Sequence, residues 1–215
     1  MAKNRRDAEA TRSKILSSAM ALFAQKGFDA VTVDEIGAEC GVNKAMIFYY
    51  FKSKSGLYEA IMKSVFDDIY IKIVEAEKCC NDVVGELKAF VEAYTLYATK
   101  YPHFPALLLR EISNGGAQIP ELMFESMKKL FMLLSDILKR GEEQGIFKDV
   151  ISMVVHFMIL GSVNLYIVST PLRKRVDEDG IDTCCGCDTK MIAEYIFKKI
   201  TLMLEVDSEK ISSCS

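Results

Sequence analysis

No tryptophan occurs in the 215 residues, and proline occurs only four times. So few breakers leave room for long helices, and Leu, Ala, Met, Glu and Lys, which dominate, are good helix formers. Strand-like alternation of useful length is missing, as is any internal repeat. An all-α fold is therefore predicted. The net charge is only −3 while half of the residues are hydrophobic, which excludes a disordered chain and supplies apolar surface for one large or two small domains.

Histidine is scarce, and His103 and His156 stand far apart, so both are expected to be structural residues rather than ligands or switches. A nucleophile motif, a phosphate loop, a metal-binding helix motif and a dinucleotide fingerprint are all missing. No catalytic residue, cofactor or metal is predicted. Residues 1–7 are polar and basic, with no apolar stretch and small-residue cleavage site after them, and the seven cysteines have no secreted-domain spacing. A reducing cytoplasm is the expected compartment.

Two features leave alternatives open. Cys184, Cys185 and Cys187 beside Asp188 have the ligand chemistry of a metal or redox sensor, but no fourth ligand is evident, and an exposed loop with adventitious thiols is the preferred reading. Residues 150–169 carry no formal charge over twenty positions, the length of a membrane span, yet Ser152, His156, Ser162 and Asn164 interrupt them and no second span exists. A buried or interface helix is the preferred reading.

Charge is divided along the chain. Residues 1–54 hold nine Lys/Arg against six acidic residues, and the remainder holds eighteen against twenty-four. A basic head on an acidic body can bind a polyanion locally while the rest of the surface discourages indiscriminate binding.

Periodicity predicts a first helix over 10–26, closed by Gly27. Thr32-x-x-Glu35 has capping-box spacing and starts a second helix, which runs to Cys40 and stops at Gly41. Asn43 caps a third helix ending near Phe51, and Ser53 caps a fourth. Further helices are predicted over 54–78, 82–100, 104–114, 120–143, 149–170 and 189–206, with a break from Pro171 to Asp188.

The segment from Thr32 to Phe51 meets the steric demands of a helix-turn-helix. Gly37 is small where two helices cross, Gly41 suits a turn of positive φ, and Ile36, Val42 and Ile47 can lock the second helix onto the first. The runs Thr32-Val33-Asp34-Glu35-Ile36-Gly37, Cys40-Gly41-Val42-Asn43, Lys44-Ala45-Met46-Ile47-Phe48-Tyr49-Tyr50-Phe51 and Lys52-Ser53-Lys54, preceded by Ala24-Gln25-Lys26-Gly27-Phe28, resemble the head of the TetR/AcrR family over about residues 10–60. Gly37 and Cys40 stand where that family has Ala, Asn43 where it has Ser, Ala45 where it has Gly, and Phe48 where it has Tyr. The last exchange removes a hydroxyl that, by the resemblance, bonds a phosphate.

On this reading residues 1–53 form a DNA-binding domain and 54–215 a ligand-binding and dimerisation domain. The helix after Asn43 is expected in the major groove, with Lys44 as the principal base reader, Ala45 and Met46 in apolar contact, and Phe48, Tyr49 and Tyr50 along the backbone or base edges. Thr32 and Lys54, at helix starts, are expected on phosphates, and Arg5, Arg6 and Arg12 on a flexible arm that reaches the DNA backbone or minor groove, with a solvated tail as an equal alternative. For Tyr49 and Tyr50 a core role is an equal alternative.

The body resembles the family in layout: Tyr101-Pro102-His103-Phe104-Pro105 with Leu109-Arg110-Glu111, and residues 138–147, look like its sixth and seventh helix regions. The resemblance implies a homodimer through the last two long helices, with Gly161 and Ser162 allowing close approach, Asn164 bonding across the axis, and Tyr195, Ile196, Ile200 and Leu204 as the partner stripe. It also implies a repressor of a pseudopalindromic operator, released by a small apolar or aromatic effector. Met62, Phe66, Tyr70, Tyr94, Tyr97, Phe124, Phe131 and Phe157 are candidates for the effector wall, against a plain core role. The rival functions are a helical enzyme and a membrane-tethered adaptor.

Overall fold

The computed structural model describes residues 2–116, 119–181, 183 and 186–205, with the side chains of residues 2–5 and 122 outside the description. Among the described residues the chain forms α1 (Ala2–Lys26), α2 (Val33–Cys40), α3 (Lys44–Phe51), α4 (Lys54–Glu77), α5 (Val83–Lys100), α6 (His103–Ser113), α7 (Glu121–Glu143), α8 (Ser152–Val168), α9 (Thr170–Glu178) and α10 (Thr189–Leu204). They contain no named strand, only an isolated antiparallel bridge between Phe147 and Glu205.

Two helices differ from expectation. α1 starts at Ala2 rather than near residue 10, so most of the expected flexible arm is helical. No Gly or Pro interrupts residues 2–26, and Ala8, Glu9 and Ala10 favour the helix, so nothing local stops it. α9 occupies part of the expected break after Pro171. Pro171 lies in the first turn, where its missing N–H costs no helical hydrogen bond.

The chain divides into two compact units. Of the described residues, the first comprises those within 1–68 and 101–126, and the second those within 69–100 and 127–205. Ser53 and Lys54, where the sequence reading divides the chain, both lie in the first unit.

In the first unit α1 packs on α2 and α6, and α2 packs on α3. Ile15, Ala19 and Phe23 of α1, Ile36 and Cys40 of α2, Ile47 and Phe51 of α3, and Leu57, Tyr58 and Ile61 of α4 are buried. Phe23, Phe28 and Tyr58 form an aromatic trio with centroids 5.0–5.6 Å apart. Arg110 of α6 donates to the Gln25 carbonyl near the end of α1 at 3.2 Å.

In the second unit α5 packs against α8 and α10. Leu87, Phe90, Val91, Tyr94 and Ala98 bury the inner face of α5. The Tyr94 hydroxyl donates to Asn164 Oδ1 at 2.9 Å. Asn164 is buried inside its own subunit and already bonded, so the expectation that it reaches across a dimer axis is corrected. Ile200 and Leu204 also turn inward, leaving Tyr195 as the exposed member of the expected stripe and Ile196 half-buried. The few polar residues of α8 are spread around an otherwise apolar helix, so the sequence pattern could not assign its faces.

No single described helix is long and apolar enough to cross a membrane. α8 bends by 64° into α9 at Ser169. Its seventeen residues span about 26 Å, short of the roughly 30 Å hydrocarbon layer.

Candidate nucleic-acid interface

The helix-turn-helix is assembled by local chemistry. Thr32 accepts from the Glu35 amide at 3.2 Å, and the Thr32 amide donates to Glu35 Oε2 at 2.8 Å, closing the capping box at the start of α2. Lys26 adds an ion pair to Glu35 Oε1 at 3.0 Å. The Thr32 amide above all, then the Lys26 ammonium and the Thr32 hydroxyl, hold the Glu35 carboxyl down at about 2. These donors favour the charged form.

α2 ends on Gly41, which adopts φ 63° and ψ 35°, a left-handed conformation costly for residues with a Cβ. Gly37 answers the crossing requirement: a Cβ there would lie 2.9 Å from the Val42 carbonyl oxygen. Asn43 then caps α3, its Oδ1 accepting from the Ala45 amide at 2.8 Å.

The orientation of α3 follows from spacing. Ile47 and Phe51, four residues apart, are buried on one face and anchor the helix. Lys44, Ala45, Met46, Phe48 and Tyr49 are exposed on the others. Tyr49 is 71% exposed, Met46 42% and Phe48 38%, more than a packed core would leave in water. Tyr50 is half-buried, its hydroxyl donating to the Ala8 carbonyl at 3.3 Å. The two tyrosines thus have different environments: Tyr49 stands in water, edge-on to Tyr50 at 5.3 Å and 5.9 Å from the Lys52 ammonium, whereas Tyr50 ties α3 to α1.

The cations are not all free. Lys44 Nζ lies 2.7 Å from Asp34 Oδ2, pairing the first residue of α3 with the first turn of α2. Lys54 Nζ donates to the carbonyls of Phe28 at 2.9 Å and Val31 at 3.0 Å, and lies 4.4 Å from the Phe28 ring centroid. Arg12 is exposed, its guanidinium 5.4 Å from the Phe51 ring centroid, and Arg6 is exposed as well. The side chain of Arg5 lies outside the described residues. Lys52, which follows α3, has φ 67°, and the Ser53 amide donates to the Phe51 carbonyl at 2.8 Å across it. That is a γ-turn of positive φ, a strained conformation for a residue with a side chain. Asp34 and Lys52 were not singled out from the sequence. An acid in a helix's first turn reads as dipole compensation, and a lysine in a linker carries no turn signal.

The candidate effector residues are dispersed. Met62 and Phe66 are buried in the first unit, Phe66 meeting Phe104 edge-on at 5.4 Å. Tyr94 and Tyr97 are buried in the second unit, where Tyr70 and Phe131 are half-buried. Phe124 and Phe157 stand on the surface of their units, 55% and 62% exposed. His156 packs edge-on against Phe131 at 5.8 Å, and burial pushes its imidazole down to about 4, which keeps it neutral at pH 7. A cleft of 560 Å³ opens between α8 and α10, lined by Met158, Tyr166, Cys187, Met191, Tyr195 and Ile196, among others. Cys184 and Cys185 lie outside the described residues. The described residues contain no group of three potential metal ligands.

A short capped helix presenting a cation and aromatics outward, on a glycine turn behind a second helix, defines a helix-turn-helix nucleic-acid-binding head. Residues 15–61 match the family described as "Bacterial regulatory proteins, tetR family", and residues 84–173 match "Tetracyclin repressor-like, C-terminal domain". The chain belongs to the TetR family of transcriptional regulators. It is 31% identical over 137 residues to the probable HTH-type transcriptional regulator YttP of Bacillus subtilis, covering 62% of this chain and 66% of that protein. It is 27% identical over 162 residues to the HTH-type transcriptional repressor NicS of Pseudomonas putida, covering 73% and 74%. The fold matches a TetR family transcription regulator from Marinobacter aquaeolei VT8 with a TM-score of 0.74 at 17% identity, over 95% of this chain and all of that one. The family regulates transcription rather than catalysing a reaction, so the rival reading as a helical enzyme is not favoured.

Proposed function

We propose that the chain is a cytoplasmic repressor that binds a pseudopalindromic operator as a homodimer and leaves it when a small apolar or aromatic effector binds. The observation that carries this is α3: Ile47 and Phe51 hold it rigidly while Lys44, Ala45, Met46, Phe48 and Tyr49 face water. A helix so presented fits the major groove, and its N-terminal residues come nearest the base edges. Lys44 donates to guanine, and Ala45 and Met46 make apolar contacts. Thr32, Asn43, Phe48 and Tyr49 complete the DNA-facing set, and Tyr50, whose hydroxyl is bonded to the Ala8 carbonyl, supports it by holding α3 on α1. Lys54 serves that surface from behind, since its ammonium is already bonded to the loop before α2. In functional terms residues 1–53 read DNA, and residues 54–215 bind the effector and the partner subunit.

One short helix reads only a few base pairs, so two heads about 34–36 Å apart are needed to read a pseudopalindrome. Exposed Met153, Val154, Phe157, Met158 and Leu165 on α8, with Met191 and Tyr195 on α10, form an apolar surface of the kind subunits bury against each other. For the effector, Met62 and Phe66 in the first unit and Tyr94, Tyr97 and Phe131 in the second are two separate places to test. An effector releases DNA only if it binds the released form better than the DNA-bound one.

Footprinting on DNA flanking the chain's own gene, combined with light scattering of the free protein, tests the proposal. A dimeric protein that protects a pseudopalindrome, with protection weakened by Lys44→Ala, is the expected result. A strictly monomeric species, or a Lys44→Ala variant that binds unchanged, overturns it.

A further inference from the structure

We infer that Asp34 is a specificity-determining residue of the DNA-reading head, acting by holding Lys44 in a neutral pair until a correct base edge replaces it. The inference rests on the DNA-binding reading above and deepens it.

Lys44 is the first residue of α3, and that helix has no acid in its first turn. A helix N-terminus carries partial positive charge, so a lysine placed there is repelled by its own helix. Asp34 meets this need from another element, its Oδ2 2.7 Å from Lys44 Nζ, while sitting in the first turn of α2, where an anion is favoured. Both side chains are exposed, 48% for Lys44 and 69% for Asp34, so the pair stands at the surface and can open. An exposed pair of this kind is weak, and a well-oriented acceptor can displace it.

The pair affects two kinds of DNA differently. On unrelated sequence, binding comes mainly from cations replacing counterions at phosphates. A lysine neutralised by Asp34 contributes little there, and the Asp34 carboxylate is itself repelled by the phosphates. On a matching site, guanine O6 and N7 offer Lys44 two acceptors, which makes opening the pair worthwhile. Asp34 thus lowers the background more than it lowers the signal.

The test uses Asp34→Asn, which keeps size and one acceptor oxygen but removes the charge. Fluorescence anisotropy follows binding of the full-length protein to a labelled mixed-sequence duplex and to a duplex selected by the wild-type protein from a randomised pool, between about 50 and 200 mM salt. Asp34→Asn is expected to tighten mixed-sequence binding by up to about fivefold, the upper end for an exposed pair. It should also steepen the logarithmic salt slope by about one and narrow the ratio between the two duplexes. In a Lys44→Gln background the same change should have a clearly smaller effect, since only the direct repulsion between Asp34 and the phosphates is then left to remove. Equal slopes and ratios for wild type and Asp34→Asn overturn the inference, and so does an undiminished effect in the Lys44→Gln background, which marks a general charge effect. Failure of the wild-type protein to bind any duplex overturns the DNA-binding reading itself. Matching thermal midpoints for wild type and Asp34→Asn show that folding is not what changed.

Discussion

Lys54 and Phe28 meet twice: the ammonium donates to the Phe28 carbonyl at 2.9 Å and lies 4.4 Å from the centroid of its ring. A third contact, to the Val31 carbonyl at 3.0 Å, makes Lys54 a clamp between the start of α4 and the loop before α2. Lys54→Met should therefore destabilise the fold by about 1–3 kcal/mol, since charge-assisted bonds to part-buried carbonyls are lost. Urea denaturation measures this. Well below the melting range, the salt slope of DNA binding should stay unchanged. A reduced slope with unaltered stability would instead make Lys54 a phosphate contact.

Glu35 makes the head acid-sensitive in a defined window. Its carboxyl is held at about 2 against an ordinary value of 4.5. A folded value below the unfolded one contributes stability that is complete above about 4.5 and fades as pH falls through about 2. Glu35→Gln should flatten the pH dependence of the melting temperature within that window. An unchanged acid profile would show that the capping box does not govern it.

Glu77 acts in the opposite sense. Burial and then the nearby Glu86 carboxylate push it up to about 7 against a lowering by Arg140, with Asp136 adding a smaller rise. The folded state holds this proton more tightly than the unfolded chain, so stability declines as pH rises from about 4.5 through 7. Glu77→Gln should raise the melting temperature at pH 8 and change it little at pH 4.5. A uniform shift at both pH values would point to packing rather than protonation.

The γ-turn at Lys52 predicts a stabilising substitution. Lys52→Gly relieves a positive φ at the cost of greater freedom in the unfolded chain, for a net gain of up to about 1 kcal/mol. Differential scanning calorimetry should show a higher midpoint. A lower one would mean that the Lys52 side chain, whose Nζ donates to the Tyr49 carbonyl at 3.3 Å, contributes more than the strain costs.

What the sequence determined by itself lies within a few residues of each signal. Thr32 and Glu35 are three apart, Asn43 caps an amide two residues on, and Gly41 marks the turn between them, so capping and turn chemistry place α2 and α3 without reference to the rest of the chain. Ile47 and Phe51, at i and i+4, likewise predict which face of α3 turns inward.

Tertiary structure alone decided the partners that stand far apart in sequence: Lys44 with Asp34, Lys54 with Phe28, and Tyr94 with Asn164, seventy residues away. An exposed lysine reads the same in a sequence whether its ammonium faces water, a phosphate or a carbonyl. α8, whose polar residues are scattered around an apolar helix, likewise gives no pattern by which to tell the side that receives Tyr94 from the side left bare. Helix ends follow from short-range hydrogen bonding, whereas the use of a charge or a helix face depends on which distant element folding brings beside it.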